Sequence, residues 1–177
     1  MSKILKDRRG FSLIEVAIAV VVIGLITSFA LKGRELINLA KLRSVADQAS
    51  MFRIAVQGFF DKYGALPGDF SAAHEVISDT VQNGSGRGEI ISIEDAKRFW
   101  QHLIAADLLS VELINGFPTS KLGGYYTVSS NIEGHSGIWI VLCKGTTDNR
   151  NFSGILSPED AYIIDKNNDS GNPTMGE

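Results

Sequence analysis

The sequence predicts an α+β protein in which one long N-terminal transmembrane and amphipathic helix packs on a small C-terminal head with a mainly antiparallel sheet. The helix is indicated by an almost uncharged apolar run near the N-terminus and by a one-sided apolar pattern that continues after it. The sheet is indicated by residues 125–129 and 138–143, which are rich in β-branched and aromatic side chains. With 44% hydrophobic and 21% charged residues, the 177-residue chain fits neither a disordered protein nor a polytopic membrane protein. A net charge of −3 gives no reason to expect direct nucleic-acid binding.

Residues 11–31 form the apolar run and contain one charged residue, Glu15. A helix of this length spans roughly 30 Å, about the hydrocarbon thickness of a bilayer. Four basic residues and one acidic residue give the first ten residues a charge of +3, which favours a cytoplasmic N-terminus. The run is long for a signal peptide, and no A-x-A-like cleavage site follows it. A plain membrane anchor leaves Glu15 unexplained, because an unpaired carboxylate in the membrane costs about 2.5–3.5 kcal/mol on insertion scales.

Residues 10–15, with the sequence GFSLIE, resemble the processing site of type IV pilins and type II secretion pseudopilins. The resemblance consists of a short basic leader, Gly10, Phe11, an acid at the fifth position of the mature chain and a long apolar helix. It implies that a membrane peptidase cuts between Gly10 and Phe11 and that the new amino group of Phe11 is methylated. The positive charge of that amino group would neutralise Glu15, within the subunit or on a neighbouring subunit during assembly.

The same resemblance implies partners and a location. The partners would be the prepilin peptidase and methylase, other pilin or pseudopilin subunits, and an inner-membrane assembly platform. The protein would span the bacterial inner membrane once, with a cytoplasmic N-terminus and a periplasmic head, and then enter a pilus or pseudopilus for secretion, adhesion, motility or DNA uptake. Many pilins have a proline in the middle of the helix, where this sequence has Lys32. The alternative is a single-pass membrane-anchored periplasmic binding protein that does not polymerise.

This interpretation divides the chain into a leader (1–10), a transmembrane and filament-core half of the helix (11–31), an amphipathic half (32–63) and a globular head (64–177). Pro67 ends the helix, because proline disfavours helical backbone at the residue before it. Residues 63–70 resemble a segment that follows the long helix in a subset of bacterial pilin-like proteins. We expect a structural turn there, with ligand binding by Asp69 as the alternative.

Three further elements are predicted in the head: a short helix in residues 70–78, a flexible loop in residues 82–88 and a third strand at residues 161–164. Ser92 and Asp95 form a capping-box pattern, which predicts a helix that extends to residue 109. In this helix we expect Trp100 in the core and His102 at the surface. Cys143 ends an apolar run and is expected to be a buried strand residue.

The sequence contains none of the common catalytic motifs, so an enzyme is not expected. No cofactor is expected either, with calcium as the one candidate ion. Asp165, Asn167 and Asp169 place oxygen ligands at alternate positions, as in the first half of a calcium loop. Ser170 and Gly176 occupy the positions at which an EF-hand has glycine and a bidentate glutamate. A plain polar turn is therefore the alternative.

Overall fold

The computed structural model describes residues 10–132, 134–145 and 152–168. The elements in chain order are α1 (Leu13–Tyr63), α2 (Ala73–Val76), α3 (Ile93–Ala105), β1 (Leu113–Ile114), β2 (Phe117–Pro118), β3 (Tyr125–Ile132), β4 (His135–Cys143) and α4 (Pro158–Asn168). A long apolar helix followed by small antiparallel sheets confirms the α+β class. The chain divides into two compact units, Met1–Ala40 and Lys41–Glu177, with the boundary inside α1.

In the first unit, the described residues belong almost entirely to α1. The helix begins at Leu13, two residues after the predicted start at Phe11, and it continues without interruption through Gly24 and Gly33. Neither glycine breaks the helix, because a single glycine costs only about 1 kcal/mol relative to alanine. Every residue in 11–31 is exposed.

In the second unit, the remainder of α1 is amphipathic, as predicted. One face of the helix is buried, and it consists of Leu42, Val45, Phe52, Ala55 and Phe59. These residues recur at steps of three, four and seven, which keeps them on one side of an α-helix. The helix ends at Tyr63, where the Gly64 N–H donates to the Phe60 carbonyl over 2.8 Å.

The core of the second unit lies between α1, α3 and β3. The Phe52 ring packs edge-on against Trp100 and Tyr126, with ring centroids 4.8 and 4.9 Å apart. Trp100 is fully buried, as predicted. The prediction that His102 is a surface residue is wrong, because its side chain is also fully buried and its ring stacks on Phe59.

Helix α3 begins as predicted and ends earlier than predicted. The Ser92 side chain accepts from the Asp95 N–H, and the Asp95 side chain accepts from the Ser92 N–H, which completes the capping box. The predicted end at residue 109 is wrong, because a Schellman motif closes the helix after Ala105. The Leu108 N–H donates to the Leu103 carbonyl, and Asp107 adopts a φ of 60° at the position where glycine is usual.

The predicted strands pair as an antiparallel hairpin in which Tyr126 faces Leu142 and Val128 faces Ile140. Cys143 is buried at the end of β4, as predicted. The prediction did not include the small hairpin of β1 and β2. Its turn is Asn115-Gly116, and both residues have positive φ, as a type I′ turn requires.

The predicted strand at residues 161–164 is wrong, because these residues lie inside helix α4. The start of α4 has strong local helix signals. The Ser157 hydroxyl accepts from the Asp160 N–H, and Pro158 occupies the first helical position, where its missing N–H is not needed.

The predicted short helix in residues 70–78 is confirmed as α2.

Candidate functional site

The predicted processing site lies at the start of α1. Phe11 is 80% exposed, and a Cβ added to Gly10 would meet no atom within 4 Å. The Val16 N–H donates to the Ser12 carbonyl over 3.2 Å, so regular helical hydrogen bonding begins directly after Phe11. Gly10 and Phe11 therefore lie in non-helical, accessible backbone. The leader residues 1–9 lie outside the described residues.

Glu15 lies in the first turn of α1 and is exposed. The unpaired N–H groups of a first helical turn carry partial positive charge, which favours a carboxylate at this position. Within the described residues, no basic side chain forms an ion pair with Glu15. The helix terminus is thus a weak local partner for the Glu15 carboxylate. The carboxylate is still accessible to a stronger partner, such as an ammonium group at residue 11.

The surface of α1 around Glu15 is apolar on all sides. The most apolar 18-residue window of the helix has a mean hydropathy of 2.5, and none of it is buried. The helix is long and apolar enough to cross a membrane. This surface combines an exposed apolar helix with one acid close to its N-terminus, as the sequence predicts.

Residues 5–31 match the family model of the prokaryotic N-terminal methylation motif. The chain carries a prokaryotic N-terminal methylation motif. This motif is the signature of prepilin-like proteins of the type IV pilin and pseudopilin class, which confirms the resemblance found in the sequence. The matched range contains Gly10, Phe11 and Glu15. No curated protein and no solved structure matches the chain.

Outside the methylation motif, a second cluster of polar groups surrounds Asp69, which is 5% exposed. Its Oδ1 accepts from the Ser85 hydroxyl (2.6 Å) and the Arg87 N–H (3.1 Å), and its Oδ2 accepts from the Gly88 N–H (2.5 Å). The predicted loop in residues 82–88 is therefore held around Asp69.

Burial raises the pKa of Asp69. The hydrogen bonds from Ser85, Gly88, Arg87 and Gly86 together lower the pKa by more than burial raises it, so the net pKa lies below its ordinary value. Asp69 also borders an open cleft of about 490 Å³. Both carboxylate oxygens already accept hydrogen bonds from the loop, which supports the structural turn over ligand binding.

His102 also forms hydrogen bonds to this region, at Gly68 and at Gln82. Its Nδ1 accepts from the Gly68 N–H over 3.0 Å, and its Nε2 lies 2.7 Å from the Gln82 carbonyl. These partners require a neutral ring with the proton on Nε2. Burial lowers the pKa of His102 most, Arg98 lowers it further, and the Gln82 carbonyl raises it, with a net shift below the ordinary value. Gly68 has a φ of 80°, and a Cβ there would lie 2.7 Å from the Asp95 carbonyl oxygen.

Of the three predicted calcium ligands, the structure describes the side chain of Asp165 alone. Asp165 lies in helix α4, and Asp169 and the side chain of Asn167 lie outside the described residues. Among the residues that are described, no group of three or more His, Cys, Asp or Glu side chains could hold a metal ion.

Proposed function

We propose that the protein is a type IV pilin-like or pseudopilin subunit that is cut after Gly10, methylated on Phe11 and assembled into a pilus or pseudopilus. The observation that supports this proposal is the methylation motif at residues 5–31, joined to an exposed apolar helix with Glu15 in its first turn. Pilin-like proteins are structural, and we assign this chain a structural task of the same kind.

The chemistry of assembly follows from two charges. Cleavage leaves an ammonium group on Phe11, four residues before Glu15. In the membrane, an unpaired carboxylate is costly, and pairing with an ammonium group of an adjacent subunit offsets that cost. The pair forms at one axial stagger between subunits, so its main effect is to fix the register rather than to add net stability.

The proposal includes the cellular setting. The N-terminus lies in the bacterial cytoplasm, α1 spans the inner membrane and the head lies in the periplasm. The prepilin peptidase and methylase act first, and an inner-membrane assembly platform then joins the subunit to others of its kind. The filament serves secretion, adhesion, motility or DNA uptake.

The competing function is a membrane-anchored periplasmic binding protein that does not polymerise. The exposed apolar helix fits this function equally well. A simple anchor, however, has no need of the methylation motif. The two functions differ in the mature N-terminus, which is Phe11 for a subunit and Met1 for an anchor.

Mass spectrometry of the N-terminal peptide from membranes of the native host tests the proposal. We expect methylated Phe11 in the wild type and an intact leader in Gly10→Val, because a side chain at residue 10 obstructs the peptidase. The matched control is Gly33→Val, where an added Cβ also meets no atom within 4 Å but lies outside the motif. A wild-type chain that keeps its leader would refute the proposal.

We also propose calcium, coordinated by Asp165, Asn167 and Asp169, as a ligand of the C-terminal region. Alternating oxygen ligands in the sequence support it, whereas the helical position of Asp165 does not. A calcium titration monitored by thermal unfolding tests this proposal, with Asp169→Asn as the variant. No shift in melting temperature at millimolar calcium would exclude a structural ion.

A further inference from the structure

Strand β4 lies at the edge of its sheet. Among residues 10–132, 134–145 and 152–168, it pairs with β3 on one side only, in a sheet of two strands. Its neighbour β3 is covered on its other side, since the Ser130 N–H donates to the Ile90 carbonyl over 2.8 Å. Within the part of the chain that the structure describes, β4 is therefore the strand of this sheet with an open edge.

The backbone groups along this edge follow from the register. Because the Ser130 N–H points away from β4, the paired residue Ile138 directs its own N–H and C=O away from β3. The same orientation recurs at every second residue, at Ile140 and Leu142. Lys144 continues this series, and its N–H donates to the Ser153 carbonyl over 2.9 Å. For Ile138, Ile140 and Leu142, no outward partner occurs in the part of the chain that the structure describes.

Exposed edge strands normally carry features that prevent pairing, such as lysine, proline or an inward-pointing charge. β4 has none of these, because residues 135–143 contain no Lys, Arg, Asp, Glu or Pro. From residue 138 to residue 143 its side chains are apolar on both faces. Ile138, Ile140 and Leu142 extend the core and are only half-buried, and Trp139 on the opposite face is 44% exposed. Such an edge favours association with another strand.

We propose that β4 is a self-association site at which a second copy of this chain pairs its own β4 in the antiparallel direction. The strand is its own complement. Residue 139 is the midpoint of His135–Cys143, so full-length antiparallel pairing places Trp139 opposite Trp139 of the second copy. It also places Ile138 opposite Ile140, which extends the apolar core from one copy into the other.

The pairing geometry at the two-fold axis is favourable for Trp139. With the outward backbone groups at positions 138, 140 and 142, the pair at residue 139 is a non-hydrogen-bonded pair, in which side chains approach most closely. Cross-strand aromatic pairs are among the most favourable in antiparallel sheets. The result is one four-stranded sheet in place of two two-stranded sheets, and sheets of three or more strands are markedly more stable in water.

Charge favours the antiparallel direction. Lys144 directly follows β4. Parallel pairing in register would place the two lysines side by side, whereas antiparallel pairing places them at opposite ends of the strand. A two-fold contact of this kind is closed and forms dimers only. It is therefore separate from the filament contacts made by α1, and it does not rest on the proposed function.

Full-length protein in detergent micelles provides the first test. We expect the wild type to sediment as a dimer and Trp139→Lys to dissociate at least about tenfold more readily, because two lysines would oppose each other at the axis. The matched control is Tyr162→Lys on α4, where an aromatic residue of similar exposure (54%) lies off the strand. Circular dichroism verifies that each variant is folded. A monomeric wild type, or a Trp139→Lys dimer as tight as the wild type, overturns the proposal.

Disulfide cross-linking in membranes provides the second test, because it does not depend on the lysine substitution. In a Cys143→Ala background, Trp139→Cys should form a disulfide-linked dimer under mild oxidation, since directly opposed residues of a non-hydrogen-bonded pair lie within disulfide distance. Tyr162→Cys in the same background should remain a monomer. Equal cross-linking of the two variants would indicate random collision and contradict the proposed pairing.

Discussion

Glu15 is a residue whose chemistry depends on its surroundings. As an exposed acid in the first turn of α1, it is favoured by the helix terminus, but within a membrane the same carboxylate needs a partner. We expect Glu15→Leu to insert, to be cleaved after Gly10 and to fold its head, yet to be strongly depleted from filaments. Comparison of the membrane fraction with sheared filaments measures this. Glu35→Leu is the control, because Glu35 forms only an exposed ion pair with Lys32. Assembly of Glu15→Leu at the wild-type level would contradict the role.

Asp69 differs from Glu15, because it forms its hydrogen bonds within its own chain. Asp69→Asn keeps the shape but removes the charge that strengthens three hydrogen bonds from the loop. We expect a loss of about 2–3 kcal/mol in the free energy of unfolding, since each of the three bonds is stronger by about 1 kcal/mol when its acceptor is charged. Chemical denaturation measures it. The same substitution at the exposed Asp79 should have an effect within about 0.5 kcal/mol. Equal effects at both positions would exclude a special role for the carboxylate.

These two acids show which residues a sequence can reveal. Glu15 is conspicuous because it is the one charge in residues 11–31, and the motif match includes it. The hydrogen bonds around Asp69 and His102 cannot be recognised in the sequence in the same way. His102 bonds to Gly68, 34 residues away in the chain, and its polarity predicts exposure. Its burial is possible because Gly68 and Gln82 supply partners for both ring nitrogens, and tertiary packing alone brings them there.

At the scale of secondary structure, the cap of α3 gives a direct test of helix termination. Ser92→Ala removes the acceptor for the Asp95 N–H and should cost about 1 kcal/mol of stability. Ser50→Ala, at an exposed position inside α1, should instead be neutral or slightly stabilising, because alanine has the higher helix propensity. Thermal unfolding distinguishes the two signs. A Ser92→Ala variant as stable as the wild type would mean that the Ser92 side chain is not needed to start α3.

Most elements were predicted correctly, and two of the three errors in secondary structure come from local signals that were weighted wrongly. Residues 161–164 are apolar and resemble a strand, but Ser157 and Pro158 just before them specify a helix start. Asn115-Gly116 is a strong hairpin signal, although strands of two residues are too short to show alternation. The early end of α3 is different in kind. Asp107 adopts left-handed backbone, which few non-glycine residues do, so the residue type gives little warning.

At the scale of the whole molecule, the apolar run and the folded core are separate. In the part of the chain that the structure describes, all buried core residues lie at or after Leu42, in the second unit. We therefore expect a fragment of residues 35–177 to fold in solution without detergent. Circular dichroism should show a cooperative transition at a melting temperature close to that of the head in the full chain. A fragment that is unfolded would mean that residues before 35 contribute to the core.

The acid stability of this fragment follows from the two groups that hold its turn. The pKa of His102 is below its ordinary value of 6.5, and the pKa of Asp69 is below 3.8. In each case the unfolded chain binds a proton at a higher pH than the folded chain does, so stability decreases as the pH falls. We expect one decrease that begins below about pH 6.5 and a second that begins below about pH 3.8.

Urea denaturation of the fragment between pH 7.5 and pH 3 separates the two groups. His102→Gln lowers stability at every pH, but it removes the titrating ring and should flatten the first decrease while leaving the second. His74→Gln, at an exposed position, is the matched control for the substitution itself. If His102→Gln keeps the full decrease between pH 6.5 and pH 5, another group must titrate there. Since a neutral His102 ring accepts the Gly68 N–H, protonation of Nδ1 would turn that acceptor into a second donor and release the turn.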